Sequence, residues 1–280
     1  MNIHTIADLE HATPADVESV LSRIDLKGLV YRQLSKDGRR RSMTRDVFEA
    51  VVANARPHKC KACDGQGEIQ PHFRSIGTVH PSSAHRCRLK LYYDVLAEIE
   101  GEEEISPELQ FIFDIGHAIH ATIQKAIHRA LPNNFADEVT VDLPESFIEN
   151  GHADGVVEQV DHTYVIEIKT ISSDGYSKLS KPKEEHILQA SIYCRALNVP
   201  FMCFLYVDKG TGSMKQYPMV YDERVYQNWR RDKIEPIEKA LETGIEPIAD
   251  AGKYECKGCG YQNNCTQSLG GGGSRNPFLR

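Results

Sequence analysis

The stretch GHADGVVEQVDHTYVIEIKT, residues 151–170, decides how this chain is read. Its second half, VIEIKT, sets Glu167 and Lys169 into a β-branched run. Side chains alternate across a strand, so Val165, Glu167 and Lys169 share one face while Ile166 and Ile168 take the other. A charged pair on one face of an otherwise apolar strand means either a wet face or a site. Ahead of it, Gly151 and Gly155 bracket Asp154, and Gln159 to Thr163 supply a turn, so a hairpin can bring Asp154 beside Glu167. Two adjacent carboxylates repel unless a divalent cation lies between them, which makes the pair a natural Mg2+ or Mn2+ site. Lys169 on the same face can orient an attacking water or neutralise charge on a phosphodiester.

Working outward, DIGHAIHATIQ places Gly116, His120 and Gln124 at i, i+4 and i+8 on one helical face. Gly116 permits close approach, and His120 offers a neutral nitrogen to a metal. On the other side, HILQASIYC puts Gln189 and Tyr193 one helical turn apart, where they can fix a phosphate or a water. Taken singly, each has a plainer explanation. His120 can be a core histidine, Glu167 and Lys169 a solvated ion pair, Gln189 and Tyr193 packing residues. The order in which they occur is what argues for chemistry.

The surrounding pattern predicts an α/β core. CRLKLYYDVLAEI reads as a helix, and PELQFIFDIGHAIHATIQKAIHRAL as a long amphipathic helix opened by Ser106-Pro107. Strands are expected at about 137–143, 152–158, 163–170, 201–207 and 214–221, with a helix over 183–197 between the third and fourth. A late helix runs from an Asp222 cap to a Gly244 stop.

With 280 residues, 40% apolar, the chain can bury a sizeable core, and its net charge of −7 argues against non-specific coating of nucleic acid. Any DNA contact must be focused. No basic N-terminal segment precedes an apolar run, and nothing approaches the roughly 18 apolar residues of a membrane span. The expectation is a soluble, cytoplasmic protein with no membrane partner. Under that expectation the eight cysteines serve metal binding or packing rather than disulfides. Cys194 and Cys203 lie in apolar stretches and read as core.

Residues 1–55 read as helices at 5–11 and 14–24, a hairpin-like segment turning at Asp37-Gly38, and a helix from Thr44 to Ala55. This order resembles a small winged-helix-like N-terminal domain. Lys36, Arg39, Arg40, Arg41 and Arg45 gather at its wing, either as phosphate contacts to DNA or as a solvated basic hairpin. Residues 56–85 are rich in Gly, Pro and His and read as a linker or zinc-knuckle-like insert. There CKACDGQG resembles one CxxCxGxG element of DnaJ-type zinc modules. Cys60 and Cys63 with two imidazoles, His58 and His72 foremost and His80 or His85 as others, would complete a tetrahedral Zn2+ site. Residues 86–266 form the α/β unit, and 267–280 a flexible Gly-rich tail ending in NPFLR, either a tether to a protein partner or an expression scar.

Gx3H on a helix, GxxD, ExK on a strand and Qx3Y on the next helix, in that order over residues 116–193, resemble the RecB-type branch of the PD-(D/E)XK nuclease superfamily. The resemblance implies a restriction-endonuclease-like core of mixed sheet flanked by helices. It implies His120, Asp154 and Glu167 as ligands of Mg2+ or Mn2+, Lys169 as the catalytic lysine, and Gln189 with Tyr193 as supporting residues. Cys87 ahead of this core and CKGCGYQNNC behind it resemble the one-plus-three cysteine set of iron–sulphur nucleases, among them the CRISPR-associated exonucleases and AddB-like helicase-nucleases. That resemblance implies a structural [4Fe-4S] cluster on Cys87, Cys256, Cys259 and Cys265. A four-thiolate zinc site joining the CxxC pairs at 60 and 256 is the competing reading.

The activity so implied is a metal-dependent deoxyribonuclease, an exonuclease on single-stranded DNA or DNA ends that leaves 5′-phosphates. It would work alone or with a replication or recombination partner reached through the C-terminal tail, and no P-loop motor motif is present. The alternative is a non-catalytic module of the same fold that binds DNA ends or a protein partner.

Overall fold

A computed structural model describes residues 2–36, 78–96, 107–143, 151–262, 265 and 267 of the chain. Along the chain run helices α1 (Ile6–Leu9), α2 (Pro14–Arg23), α3 (Leu26–Lys36), α4 (Arg88–Leu96) and α5 (Pro107–Ala130). Strands β1 (Phe135–Val141), β2 (Gly151–Glu158) and β3 (Thr163–Ile171) follow, then helices α6 (Ser173–Lys178) and α7 (Glu184–Leu197). Strands β4 (Phe201–Asp208) and β5 (Met214–Val220) precede α8 (Glu223–Trp229), α9 (Glu235–Thr243) and α10 (Lys253–Lys257). The five strands form one mixed sheet in the order β1-β2-β3-β4-β5. β2 and β3 are antiparallel, β3 and β4 parallel, β4 and β5 antiparallel. A parallel pair needs a long crossover, and α6 with α7 supplies it. Every residue of β4 is buried, as befits a strand covered on both faces.

Two compact units make up the chain. The first comprises Met1–His72, Ile105–Asp142 and His152–Tyr221, and holds the sheet. One face of the sheet contributes Tyr164, Ile166, Ile168, Phe201, Cys203, Leu205 and Val207 to an apolar core. Ile3, Val20, Ile24, Leu26 and Val30 from the N-terminal segment pack into that same core, together with Ile119, Ile123, Ala126 and Ile127 of α5. Burying one such aliphatic side chain is worth about 1.5–3 kcal/mol, so these residues commit α2, α3 and α5 to this face. On α7, Ala190, Ile192, Tyr193 and Cys194 are buried.

The N-terminal expectation needs correction. The first arm of the predicted hairpin, GLVYRQLSK, belongs to helix α3. Leu26, Leu29, Val30 and Leu34 recur at helical spacing. Leu26 and Val30 are fully buried in the sheet's core, while Leu29 and Leu34 pack against it. A hairpin would have turned that stripe to alternate sides. The Asp37-Gly38 turn, Arg39, Arg40, Arg41, Arg45 and the expected helix Thr44–Ala55 lie outside the described residues, as do His58, Cys60, Cys63 and His72 of the zinc-knuckle reading.

The second unit comprises Phe73–Glu104, Leu143–Gly151 and Asp222–Arg280. Asp222 caps α8 by accepting from the Arg224 N–H, and Gly244 closes α9 with φ of 68°, as the sequence predicts. The late helix is not continuous α: a π-turn at Arg230–Ile234 divides it. Trp229, buried, donates from its indole nitrogen to the Ala84 carbonyl at 3.1 Å, and Lys233 reaches the Arg86 carbonyl at 2.8 Å. Among the described residues no helix is long and apolar enough to cross a membrane.

Candidate active site

The β2–β3 register pairs Val156 with Val165 and Gly155 with Ile166, and Asp154 and Glu167 are the next residues along the two strands beyond the last of these pairs. Asp154 Oδ2 accepts the Ile168 backbone N–H at 2.6 Å, which pins its carboxylate to the neighbouring strand. Close strand approach depends on Gly155. A Cβ there would overlap the Phe135 ring of β1 and lie 3.2 Å from the Ala136 carbonyl. Gly116 plays the same part for α5, since a Cβ there would sit 3.3 Å from Thr170 Oγ1 at the end of β3. One turn on, His120 Nδ1 lies 3.2 Å from Asp154 Oδ1.

The VIEIKT face is not wet. Glu167 is 1% exposed. Lys169 Nζ lies 2.5 Å from Glu167 Oε1 and donates to Gln189 Oε1 at 2.9 Å, and Gln189 Nε2 donates to the Tyr193 hydroxyl at 3.2 Å. His120, Asp154, Glu167, Lys169, Gln189 and Tyr193 are thus linked in one neighbourhood. Glu167 Oε2 is buried and has no hydrogen-bond partner. A buried carboxylate oxygen left this way is costly unless something else satisfies it.

The electrostatics follow from burial. Desolvation lifts the Glu167 carboxyl, opposed by Lys169 and reinforced by the Asp154 charge, from 4.5 to about 7. Burial works against the charged form of Lys169, but the charge and hydrogen bond of Glu167 outweigh it and raise its pKa. Burial likewise works against the imidazolium of His120, and Asp154, through hydrogen bond and charge, carries its pKa above 6.5. The Tyr193 hydroxyl is pushed up by burial and then by the Glu167 charge, so it serves as a neutral hydrogen-bonding group.

Two neighbours were given no role by the sequence reading, which placed Gln124 on the His120 face of its helix and did not single out Glu138. Gln124, buried on α5 one turn beyond His120, donates from Nε2 to Glu138 Oε1 at 2.6 Å and to the Asp154 carbonyl at 2.9 Å. Its spacing from His120 was visible, but its partners were not. Glu138 has no signal of its own in the sequence, because its place depends on a backbone φ of 45° within β1.

In the second unit Cys87, Cys256, Cys259 and Cys265 line one cavity of about 70 Å³, with Lys90, Tyr93 and Tyr261 among its walls. The Cys87 N–H donates to Glu255 Oε1 at 2.9 Å, which ties the start of α4 to the residue before Cys256. Burial raises the Cys259 and Cys265 thiols, and the neighbouring cysteines add to it. Cys194 and Cys203 are buried, as core residues should be. Among the described residues no three His, Cys, Asp or Glu side chains stand converged as a ready metal-ligand set.

No protein-family model matches the chain, and no curated protein matches it. Among solved structures, SSO0001 is 16% identical, with 80% of this chain and 96% of that one covered and a TM-score of 0.46. An alkaline exonuclease, LHK-Exo, from Laribacter hongkongensis is 17% identical over 61% of this chain and 91% of its own, with a TM-score of 0.44. Its complex with dAMP is 18% identical over 60% and 91%, again at 0.44. Scores below 0.5 are too low to establish a shared fold.

Proposed function

We propose that this protein is a metal-dependent deoxyribonuclease whose Asp154, Glu167 and His120 hold Mg2+ or Mn2+. The observation that carries the reading is the buried, unpartnered Oε2 of Glu167 on a strand whose next residue, Ile168, donates its N–H to Asp154 and whose Lys169 pairs with Glu167. Two carboxylates and an imidazole are hard oxygen and nitrogen donors of the kind these cations take, so the residues present fit the group. When bound, the cation supplies positive charge for the phosphate and lowers the pKa of the attacking water.

The chain's own residues do the rest. Asp154, pinned by the Ile168 N–H, presents its other oxygen toward His120. Lys169, held between Glu167 and Gln189, is aimed where it can orient a water or meet charge building on a non-bridging phosphate oxygen. Tyr193 fixes Gln189, and through it the lysine. The order of Gly116, His120, Asp154, Glu167, Lys169, Gln189 and Tyr193, with its resemblance to RecB-type nucleases, supports DNA as substrate and an exonuclease mode on single-stranded ends that leaves 5′-phosphates. Lys36, Arg39, Arg40, Arg41 and Arg45 would supply phosphate contacts. The cavity lined by Cys87, Cys256, Cys259 and Cys265 supports a structural [4Fe-4S] cluster in the second unit.

The test is anaerobically prepared protein incubated with 5′- and 3′-labelled single-stranded DNA and Mn2+, with elemental analysis of the same sample. Stepwise nucleotide release and about four irons per chain are expected. DNA binding without cleavage would overturn the nuclease reading in favour of a non-catalytic end-binding module. Zinc alone at the cysteines would overturn the cluster.

A further inference from the structure

We infer that Gln124 and Glu138 are positioning residues for the Asp154 carboxylate, an inference that rests on the nuclease reading above. A primary amide has two N–H donors, and Gln124 spends both on acceptors, the Glu138 carboxylate at 2.6 Å and the Asp154 carbonyl at 2.9 Å. The first bond is charge-assisted and the stronger, so Glu138 decides which way the amide faces. With the amide fixed, its second N–H holds the backbone of β2 at the residue whose side chain carries the candidate ligand. Gln124 is 6% exposed and sits one turn from His120, which reaches the same aspartate from the same helix. α5 therefore grips Asp154 twice, at its side chain through His120 and at its main chain through Gln124.

Glu138 reaches Gln124 at the expense of its backbone. Its φ of 45° is in the left-handed region, which a residue bearing a Cβ adopts only at a cost. The burial pattern of β1 shows the result. Phe135 and Val141 are buried, but Ala136, Asp137 and Glu138 are all exposed, so the strict alternation of a strand is broken at this point. Strain kept at one residue that supports a site is expected where the site requires it.

The experiment measures Mn2+ binding by titration calorimetry, thermal stability without metal, and Mn2+-dependent release of nucleotides for the wild type and four variants. Gln124→Met and Glu138→Ala should weaken Mn2+ binding about tenfold or more and lower kcat, leaving the KM for DNA unchanged. Glu138→Gln, whose amide oxygen still accepts from Gln124, should restore near wild-type metal binding. Glu138→Gly removes the carboxylate but relieves the backbone, so it should bind Mn2+ as poorly as Glu138→Ala while melting at the wild-type temperature or above. A merely structural role would tie metal affinity to melting temperature and make Glu138→Gly the better binder. Variants that bind Mn2+ like an active wild type overturn the inference alone. A wild type that neither binds Mn2+ nor cleaves DNA overturns the nuclease reading and this inference with it.

Discussion

Replacing Glu167 by Gln should change how stability responds to pH, and the structure sets the size of the change. In the metal-free protein burial raises the Glu167 carboxyl from 4.5 to about 7, with Lys169 opposing and Asp154 reinforcing. The folded state thus holds this proton more tightly than the unfolded chain does. The stability it contributes is fully present below pH 4.5 and is lost as pH rises to about 7. That interval, at about 1.4 kcal/mol per pH unit, amounts to about 3–4 kcal/mol, of which about 3 kcal/mol is lost above pH 4.5. Gln has no proton to lose, so in Glu167→Gln this loss disappears. A fixed offset from the altered contact with Lys169 shifts the whole curve and leaves its slope alone. The His120 pKa is raised as well, but Asp154 supplies more of that upward shift than Glu167 does, so its contribution is largely common to both proteins. Urea unfolding in the presence of a chelator, repeated from pH 4.5 to pH 8.5, should show the variant gaining about 3 kcal/mol on the wild type across the range. Adding Mn2+ at pH 8 should then stabilise the wild type far more than the variant, since the cation needs the ionised carboxylate. Parallel pH profiles would refute the reasoning about the buried charge. Equal Mn2+ stabilisation would refute the placing of the cation.

Other outcomes follow from the same geometry. Lys169→Ala should lower Mn2+-dependent nucleotide release about 10²–10³-fold while Mn2+ binding measured by calorimetry persists; unaltered turnover would remove the lysine from the chemistry. Gly155→Ala forces a Cβ into the Phe135 ring and should cost about 1–3 kcal/mol in denaturant unfolding, with activity falling as β1 and β2 are pushed apart. Cys87→Ser should give protein that loses its brown colour and much of its iron, whereas Cys203→Ser, in the sheet's core, should keep both. Iron retained in Cys87→Ser at the wild-type ratio would show that the cavity does not hold the cluster.

Much of the first unit was legible in the sequence because its elements are strongly periodic. β3 carries β-branched or aromatic residues at all positions but Glu167 and Lys169, β4 is an unbroken apolar run up to Asp208, and α5 sustains an apolar stripe over 24 residues. Segment 26–36 misled because two signals competed. Asp37-Gly38 is a strong turn signal, and it drew the preceding residues into a hairpin. The stripe Leu26, Leu29, Val30 and Leu34 is helical, and burial against the sheet settled the matter. Helix α6 was missed because it is six residues long, contains Gly175, and depends on Ser172 accepting the Gly175 N–H. The π-turn at Arg230–Ile234 changes the hydrogen-bond ladder without breaking the apolar period, so composition hides it.

The sequence by itself determined which chemical groups this protein has and their order: an imidazole on a helix, a carboxylate, a carboxylate and amine two residues apart, then an amide and a phenol one turn apart. Spacing along a helix or strand is local, and backbone geometry converts it directly into a shared face. Only the tertiary structure decided that Glu167 is buried with an oxygen unpartnered, that Asp154 is pinned by the Ile168 N–H, and that Gln124 ties Glu138 to the Asp154 main chain. Those facts depend on strands 14 residues apart and on a helix 30 residues away being brought within hydrogen-bond distance. Such distances are set by packing of the core, which no local pattern encodes.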